Sequence, residues 1–196
     1  MTAPLNFCPH CGAPIEYKIP EGDDRVRRVC TATGQIFYDN PRNVVGTIVE
    51  REGRILMCKR AIEPRRAFWT LPAGYLEMGE TCSEGAARET REEAGVHVTG
   101  TRLFSLIDVT HIGQIHMFFT ADMVGDAYRA GPESLEVRFM TEDEINWSQL
   151  AFPSIHYTLK RYFADRDNHA FGLHMLSATP DDWKALALDR HPDETV

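Results

Sequence analysis

GYLEMGETCSEGAARETREEAGV, residues 74–96, is a turn-rich loop that runs into one amphipathic helix. Thr81, with Glu84 three residues on, makes a capping box, and Gly95 stands where a left-handed stop is wanted. The spacing therefore predicts a helix over 82–94. Within it Glu89, Glu92 and Glu93 stand at i, i+3 and i+4, on one face within about a single turn. Like charges so placed repel each other and weaken an isolated helix. A solvated surface helix can carry such a row, but here Arg88 lies four residues before Glu92, where it would hold that carboxylate in one rotamer. A hard divalent cation accounts for the cluster, because Mg²⁺ and Mn²⁺ prefer oxygen ligands and neutralise grouped carboxylates. Glu80, ahead of the helix, is a further candidate for the inner or outer shell. Gly74 and Gly79 let the loop turn tightly, so that a backbone carbonyl can join the ligands.

Working outward, residues 44–49 read as a strand, and a turn at Glu52-Gly53 leads into a second over 54–60, making a hairpin. Residues 68–74 look like an aromatic loop. Downstream, strands are expected over 103–109, 115–122 and 136–140, with a short helical turn over 141–145. An amphipathic helix follows Phe152-Pro153, capped by Ser154, with Ile155, Leu159, Tyr162 and Phe163 on one face. A further strand is expected over 171–176, then a polar tail.

The whole chain has 196 residues, 43% apolar and 26% charged, enough to bury a core. Its 21 Lys and Arg against 29 Asp and Glu leave a formal charge of -8, which argues against stable nucleic-acid binding or an anionic membrane surface as partner. A phosphate substrate would need a local cation. No apolar run approaches the ~20 residues of a membrane span, and the start has no basic-then-apolar signal pattern. Five cysteines are too few for a disulfide framework and point to metal in a reducing compartment, so a cytoplasmic protein is expected.

Cys8-x2-Cys11, eighteen residues, then Cys30 match three corners of a zinc ribbon, but Thr33 stands at the fourth. Three thiolates with water or a neighbouring side chain would hold Zn²⁺; alternatively, the ribbon folds without metal. His10 lies within the knuckle and is too constrained to reach back. Cys58 and Cys82 read as a strand residue and a helix-start residue. The expected organisation is a ribbon-like module over 1–39, a main domain over 40–180 hinged at Asn40-Pro41, and a tail over 181–196.

The helix stretch resembles the Nudix box: Gly74, five residues, Glu80, seven residues, Arg88-Glu89-Thr90, one residue, Glu92-Glu93, one residue, Gly95-Val96. Only Thr90 departs, standing where the family has an aliphatic residue, and it should face the sheet. The whole chain is similar to a subgroup that includes plant plastid FAD and ADP-ribose pyrophosphatases. That likeness is carried by residues 7–13, 19–23, 38–41, 69–80, 112–114, 131–136 and 150–155. The resemblance implies an α/β fold, an α/β/α sandwich with a mixed sheet, beside the small β-rich ribbon. It also implies metal-dependent hydrolysis of a nucleotide-derived small molecule at its pyrophosphate, ADP-ribose or FAD, releasing AMP. Glu89, Glu92 and Glu93 would be the ligands, Arg88 would orient Glu92, and the base would be Glu133 or Glu136. As many relatives are dimers, a homodimer is a candidate assembly.

Two rivals remain. NADH pyrophosphatases and NAD-cap hydrolases also carry a ribbon, with a Ser-Gln-Pro-Trp-Pro-Phe-Pro-x-Ser motif soon after the box. Here residues 148–154 echo it far downstream without the central Pro-Trp-Pro. A non-catalytic ligand sensor on the same fold would tend to lose the box carboxylates, which this chain keeps. For substrate contacts, Phe68 and Trp69 could stack on a base, or Trp69 could pack the loop onto the sheet. Arg65 or Arg66 could meet a phosphate, and Gln114 is a further candidate.

Overall fold

A computed structural model describes residues 5–182 and divides the chain into two compact units, Met1–Pro41 and Arg42–Val196. No helix among the described residues is long and apolar enough to cross a membrane. The first unit is an antiparallel sheet of β1 (Ile15–Lys18), β2 (Arg27–Cys30) and β3 (Ile36–Phe37), in that order. Asp23 shapes its turn, accepting from the Asp24 and Arg25 amides and from Arg27 Nε at 2.8 Å. The arginine holds that carboxylate down at about 2. Few side chains are buried here, chiefly Cys8, Val29 and Cys30, so the core alone is a thin source of stability for a unit this small.

The second unit is a mixed eight-stranded sheet with a helix on each face. Its strands are β4 (Arg42–Arg51), β5 (Arg54–Arg60), β6 (Trp69–Thr70), β7 (Ala73–Tyr75), β8 (His97–Val109), β9 (Gln114–Val124), β10 (Ser134–Met140) and β11 (His174–Ser177). Their order is β10-β5-β4-β9-β8-β11, with β6 on β5 and β7 on β4. β4 and β9 are parallel, as are β8 and β11; the other pairs are antiparallel. The helices are α1 (Cys82–Ala94) and α2 (Pro153–Asn168). Alternate residues of a strand face opposite sides. Ile48, Ile55, Met57 and Phe118 therefore pack with Ile155, Leu159, Tyr162 and Phe163 of α2. Val49, Leu56 and Cys58 pack on the other face with Ala94, and Val45 and Phe119 with Ala86. Each fully buried valine, leucine, isoleucine, methionine or phenylalanine among them contributes about 2 kcal/mol.

Thr90 faces the sheet as expected and is fully buried. It donates to the Ala86 carbonyl at 2.7 Å, so the Thr47 hydroxyl of β4, 2.6 Å away, donates to Thr90. A polar pair thus replaces an aliphatic contact between α1 and the sheet. Thr90→Val should cost about 1–2 kcal/mol by stranding the Thr47 hydroxyl, and adding Thr47→Val should restore most of it. Urea unfolding of the two variants checks this; an equal loss in the double variant would refute the pairing.

Four local expectations change. The stretch 68–74 is not all loop: β6 and β7 flank Leu71 and Pro72, with Leu71 fully buried and the Pro72 carbonyl accepting from the Thr47 amide. β8 starts at His97, not 103, because register shifts between Thr99 and Arg102 and between Leu103 and Ser105 break the alternation that marks a strand. Ser154 does not cap α2: Phe152 is the N-cap, Pro153 opens the helix, and the buried Ser154 hydroxyl bonds His116 instead. The last strand begins at His174 rather than 171. Residues 183–196 of the expected tail lie outside the described residues.

Candidate active site

α1 carries its expected ends. Thr81 accepts from the Glu84 amide and Glu84 from the Thr81 amide, and Gly95 closes the helix at φ +66°. On its exposed side Arg88 is the hub. Nε and Nη2 grip both oxygens of Glu80 at 3.0 and 2.8 Å, and Nη1 donates to Glu89 (2.7 Å) and Glu92 (3.1 Å). Nη2 also donates to the Tyr75 carbonyl at 3.0 Å. Arg88 therefore orients Glu89 as well as Glu92, with Glu80 as its main partner. That grip, with the Glu77 amide, holds Glu80 at about 2. Both Glu80 oxygens are committed, so its place is behind the guanidinium rather than at an open ligand position.

Glu93 is 6% exposed, its carboxylate accepting from the Ala73 amide at 3.1 Å. Burial pushes it up to about 8; that amide pulls it back, while the charges of Glu89 and Glu133 add to the rise. Burial raises Glu89 too, against the pull of Arg88. Burial and mutual repulsion disfavour ionising Glu89 and Glu93 until a further cation joins them, and oxygen donors of this kind suit Mg²⁺ or Mn²⁺. The donor set suits such an ion by its chemistry; among the described residues only the three cysteine sulfurs of the first unit are gathered as a group within 4.8 Å of one another.

Two glycines hold this arrangement through close approach. A Cβ on Gly74 would lie 2.4 Å from the Glu89 carboxylate, so the glycine makes room for that side chain rather than for a turn. A Cβ on Gly131 would lie 1.7 Å from the Glu92 carbonyl. The Gly131 and Arg129 amides bond the Glu93 and Ala94 carbonyls at 2.9 and 2.8 Å, latching the 129–133 loop onto the end of α1. The loop brings Glu133 within electrostatic reach of Glu89 and Glu93.

These side chains line a cavity of about 1460 Å³. Of the residues expected from sequence, Gly74, Arg88, Glu89, Glu92, Glu93, Glu133 and Gln114 line it. Others are placed elsewhere. Glu136 pairs with Arg138 along β10. Arg65 lies over the Phe68 ring at 5.2 Å, and Arg66 donates to the Ala61 carbonyl. Trp69 belongs to the core beneath α2, because its strand position turns the indole inward. Arg60, stacked over Phe152 at 5.0 Å, and Tyr75 line the cavity without a sequence signal, and His116, a strand-end histidine whose sequence reading is open, lines it too. Arg60 is the cation that lowers Glu93.

In the first unit, the sulfurs of Cys8, Cys11 and Cys30 lie within 4.8 Å of one another, with Cys11 and Cys30 3.5 Å apart. Three sulfurs at that spacing fit a tetrahedral d¹⁰ cation such as Zn²⁺. Thr33 serves the cluster without being a thiolate: its hydroxyl bond to the Cys30 sulfur is the main reason that thiol falls to about 6. His10 stacks against Phe37, with ring centroids 6.0 Å apart.

Known proteins share this layout. The NUDIX domain family matches residues 39–163, and the Nudix N-terminal zinc-ribbon family matches residues 6–39. The crystal structure of a NUDIX hydrolase from Nitrosomonas europaea is 43% identical, with a TM-score of 0.86 over 89% of this chain and 99% of that one. The ADP-ribose pyrophosphatase of Methanocaldococcus jannaschii is 34% identical over 120 residues, 59% of this chain and 70% of that protein. The NAD-capped RNA hydrolase NudC of Vibrio parahaemolyticus is 29% identical over 137 residues, 70% of this chain and 50% of that protein. The chain thus spans half of the latter relative's length.

Proposed function

The chain belongs to the Nudix family, and from that footing we propose that it hydrolyses the pyrophosphate bond of a nucleoside diphosphate derivative, ADP-ribose or FAD, releasing AMP. The observation that carries this reading is the buried Glu93 beside the half-buried Glu89, with Glu133 within electrostatic reach, in a cavity that also holds Arg60. Glu89, Glu92 and Glu93 would hold Mg²⁺ or Mn²⁺, which when bound supplies a water of lowered pKa and charge on the leaving phosphate. Arg88 fixes the Glu89 carboxylate, and Arg60 offers the diphosphate a cation in a chain that is otherwise acidic. Glu133 takes the proton of the attacking water as its oxygen bonds to phosphorus and the bridging P–O bond breaks, leaving AMP and ribose 5-phosphate, or FMN.

Glu133 is preferred to Glu136 because it lines the cavity, whereas Glu136 is paired with Arg138. Glu133→Gln should lower kcat about a hundredfold and Glu136→Gln less than threefold. The reverse order would move the base to β10. In the ribbon, Cys8, Cys11 and Cys30 would hold Zn²⁺ with the fourth position left to water.

The substrate test is a panel of ADP-ribose, FAD, NADH and coenzyme A, ranked by kcat/KM with Mg²⁺ and with chelator. AMP release from ADP-ribose or FAD, lost in chelator, supports the reading. A preference for NADH would favour the NAD-directed activity named for the Vibrio relative, and tight binding without turnover would favour a ligand sensor.

A further inference from the structure

A second polar cluster lines the same cavity and has no part in the hydrolysis described above. It draws on three elements: Tyr75 at the end of β7, Gln114 and His116 at the start of β9, and Ser154 in the first turn of α2. His116 is 8% exposed; its Nδ1 lies 2.9 Å from Ser154 Oγ and its Nε2 lies 2.9 Å from Gln114 Oε1. Gln114 Nε2 donates to the Tyr75 hydroxyl oxygen at 2.9 Å.

These contacts have one direction. The Gln114 oxygen can only accept, so His116 carries its proton on Nε2. Nδ1 then accepts, and the buried Ser154 hydroxyl is its donor. Burial keeps the ring neutral, pushed down to about 4, so the direction holds at neutral pH. At the other end the Tyr75 oxygen accepts from Gln114, which leaves its own proton to point elsewhere. Gln114 Nε2 keeps a second hydrogen as well. The chain of bonds thus ends in two donors on side chains that line the cavity.

Tyr75 also ties this cluster to the glutamates. Its carbonyl accepts from Arg88 Nη2, whose guanidinium holds Glu89. Arg42 lies over its ring, 4.9 Å from the centroid, and restrains its plane. One residue therefore bonds both to the arginine that holds the carboxylates and to the donor cluster.

We propose that the Tyr75 hydroxyl and the Gln114 amide form a two-donor recognition point for the oxygen-rich group attached to the diphosphate, a ribose or ribityl polyol, with His116 and Ser154 as positioning residues. This rests on the pyrophosphohydrolase reading. Two donors on bonded neighbouring side chains call for acceptor oxygens, and an apolar substituent at that place would leave both unpaired.

The test compares ADP-ribose with the β-methyl ester of ADP, a diphosphate diester without the second sugar. Tyr75→Phe and Gln114→Leu should each lower the ratio of kcat/KM for ADP-ribose over the methyl ester about tenfold, mainly through KM for ADP-ribose. In ¹⁵N spectra of the whole protein, His116 should show a protonated Nε2 and an unprotonated Nδ1, and Ser154→Ala should shift the Nδ1 resonance. An unchanged ratio in both variants, while the wild type still cleaves ADP-ribose, overturns the proposal and leaves the hydrolase reading standing. A proton on Nδ1 overturns the assigned direction and with it the donor pair. Should the wild type cleave neither compound, the hydrolase reading itself fails.

Discussion

Glu93→Gln is expected to lower kcat by roughly three orders of magnitude while the chain stays folded. The fold should survive because the contact of this side chain is one its amide can keep, an oxygen accepting from the Ala73 amide. What the amide cannot supply is negative charge beside Glu89, and that charge is what a divalent ion and the migrating phosphate charge require. Burial makes the ionised carboxylate costly in the metal-free chain, which raises it to about 8. Glutamine removes that cost, so without metal the variant should melt at or above the wild-type temperature. Steady-state kinetics with ADP-ribose and thermal unfolding in chelator read both effects. A variant within tenfold of wild type would remove Glu93 from the ligand set.

Arg88→Ala should lower kcat/KM about a hundredfold and cost about 2 kcal/mol in stability. The guanidinium bonds three carboxylates and one carbonyl, and its side chain is only 17% exposed. Removing it frees Glu89 to rotate, releases the Tyr75 carbonyl and leaves the Glu80 carboxylate without its main partner. Arg88→Lys keeps the charge but not the planar fork, so it should recover part of the stability and little of the rate. Urea unfolding beside kinetics separates the two effects. If the lysine variant turned over at the wild-type rate, the orientation argument would be wrong and a point charge would suffice.

The sequence made the chemistry legible because its signals are local. Glu89, Glu92 and Glu93 share a face for the simple reason that a helix repeats every 3.6 residues, and Thr81, Glu84 and Gly95 mark the ends of that helix. The apolar runs in 44–49 and 54–60, with the Glu52-Gly53 turn between them, announced two strands of a hairpin. The cysteine spacing of the first unit announced a ligand cluster, which the structure gathers within 4.8 Å. Where local signals mislead, a tertiary partner is the cause. Ser154 has the composition of a cap, yet its hydroxyl is taken by His116, thirty-eight positions away. For Trp69 the sequence allowed base stacking or packing against the sheet, and its strand pairing settles on the core.

The acidic helix, its caps, the apolar strands and the Cys8–Cys11 knuckle are written in the chain, since each depends on neighbours a few residues apart. That Glu133 rather than Glu136 lines the cavity, that Gly74 and Gly131 are glycines for close approach, and that Tyr75 bonds both Arg88 and Gln114 emerges from the folded chain alone. Those facts depend on sheet register and on which backbone lies against which, and such contacts between distant segments leave no periodic trace along the chain.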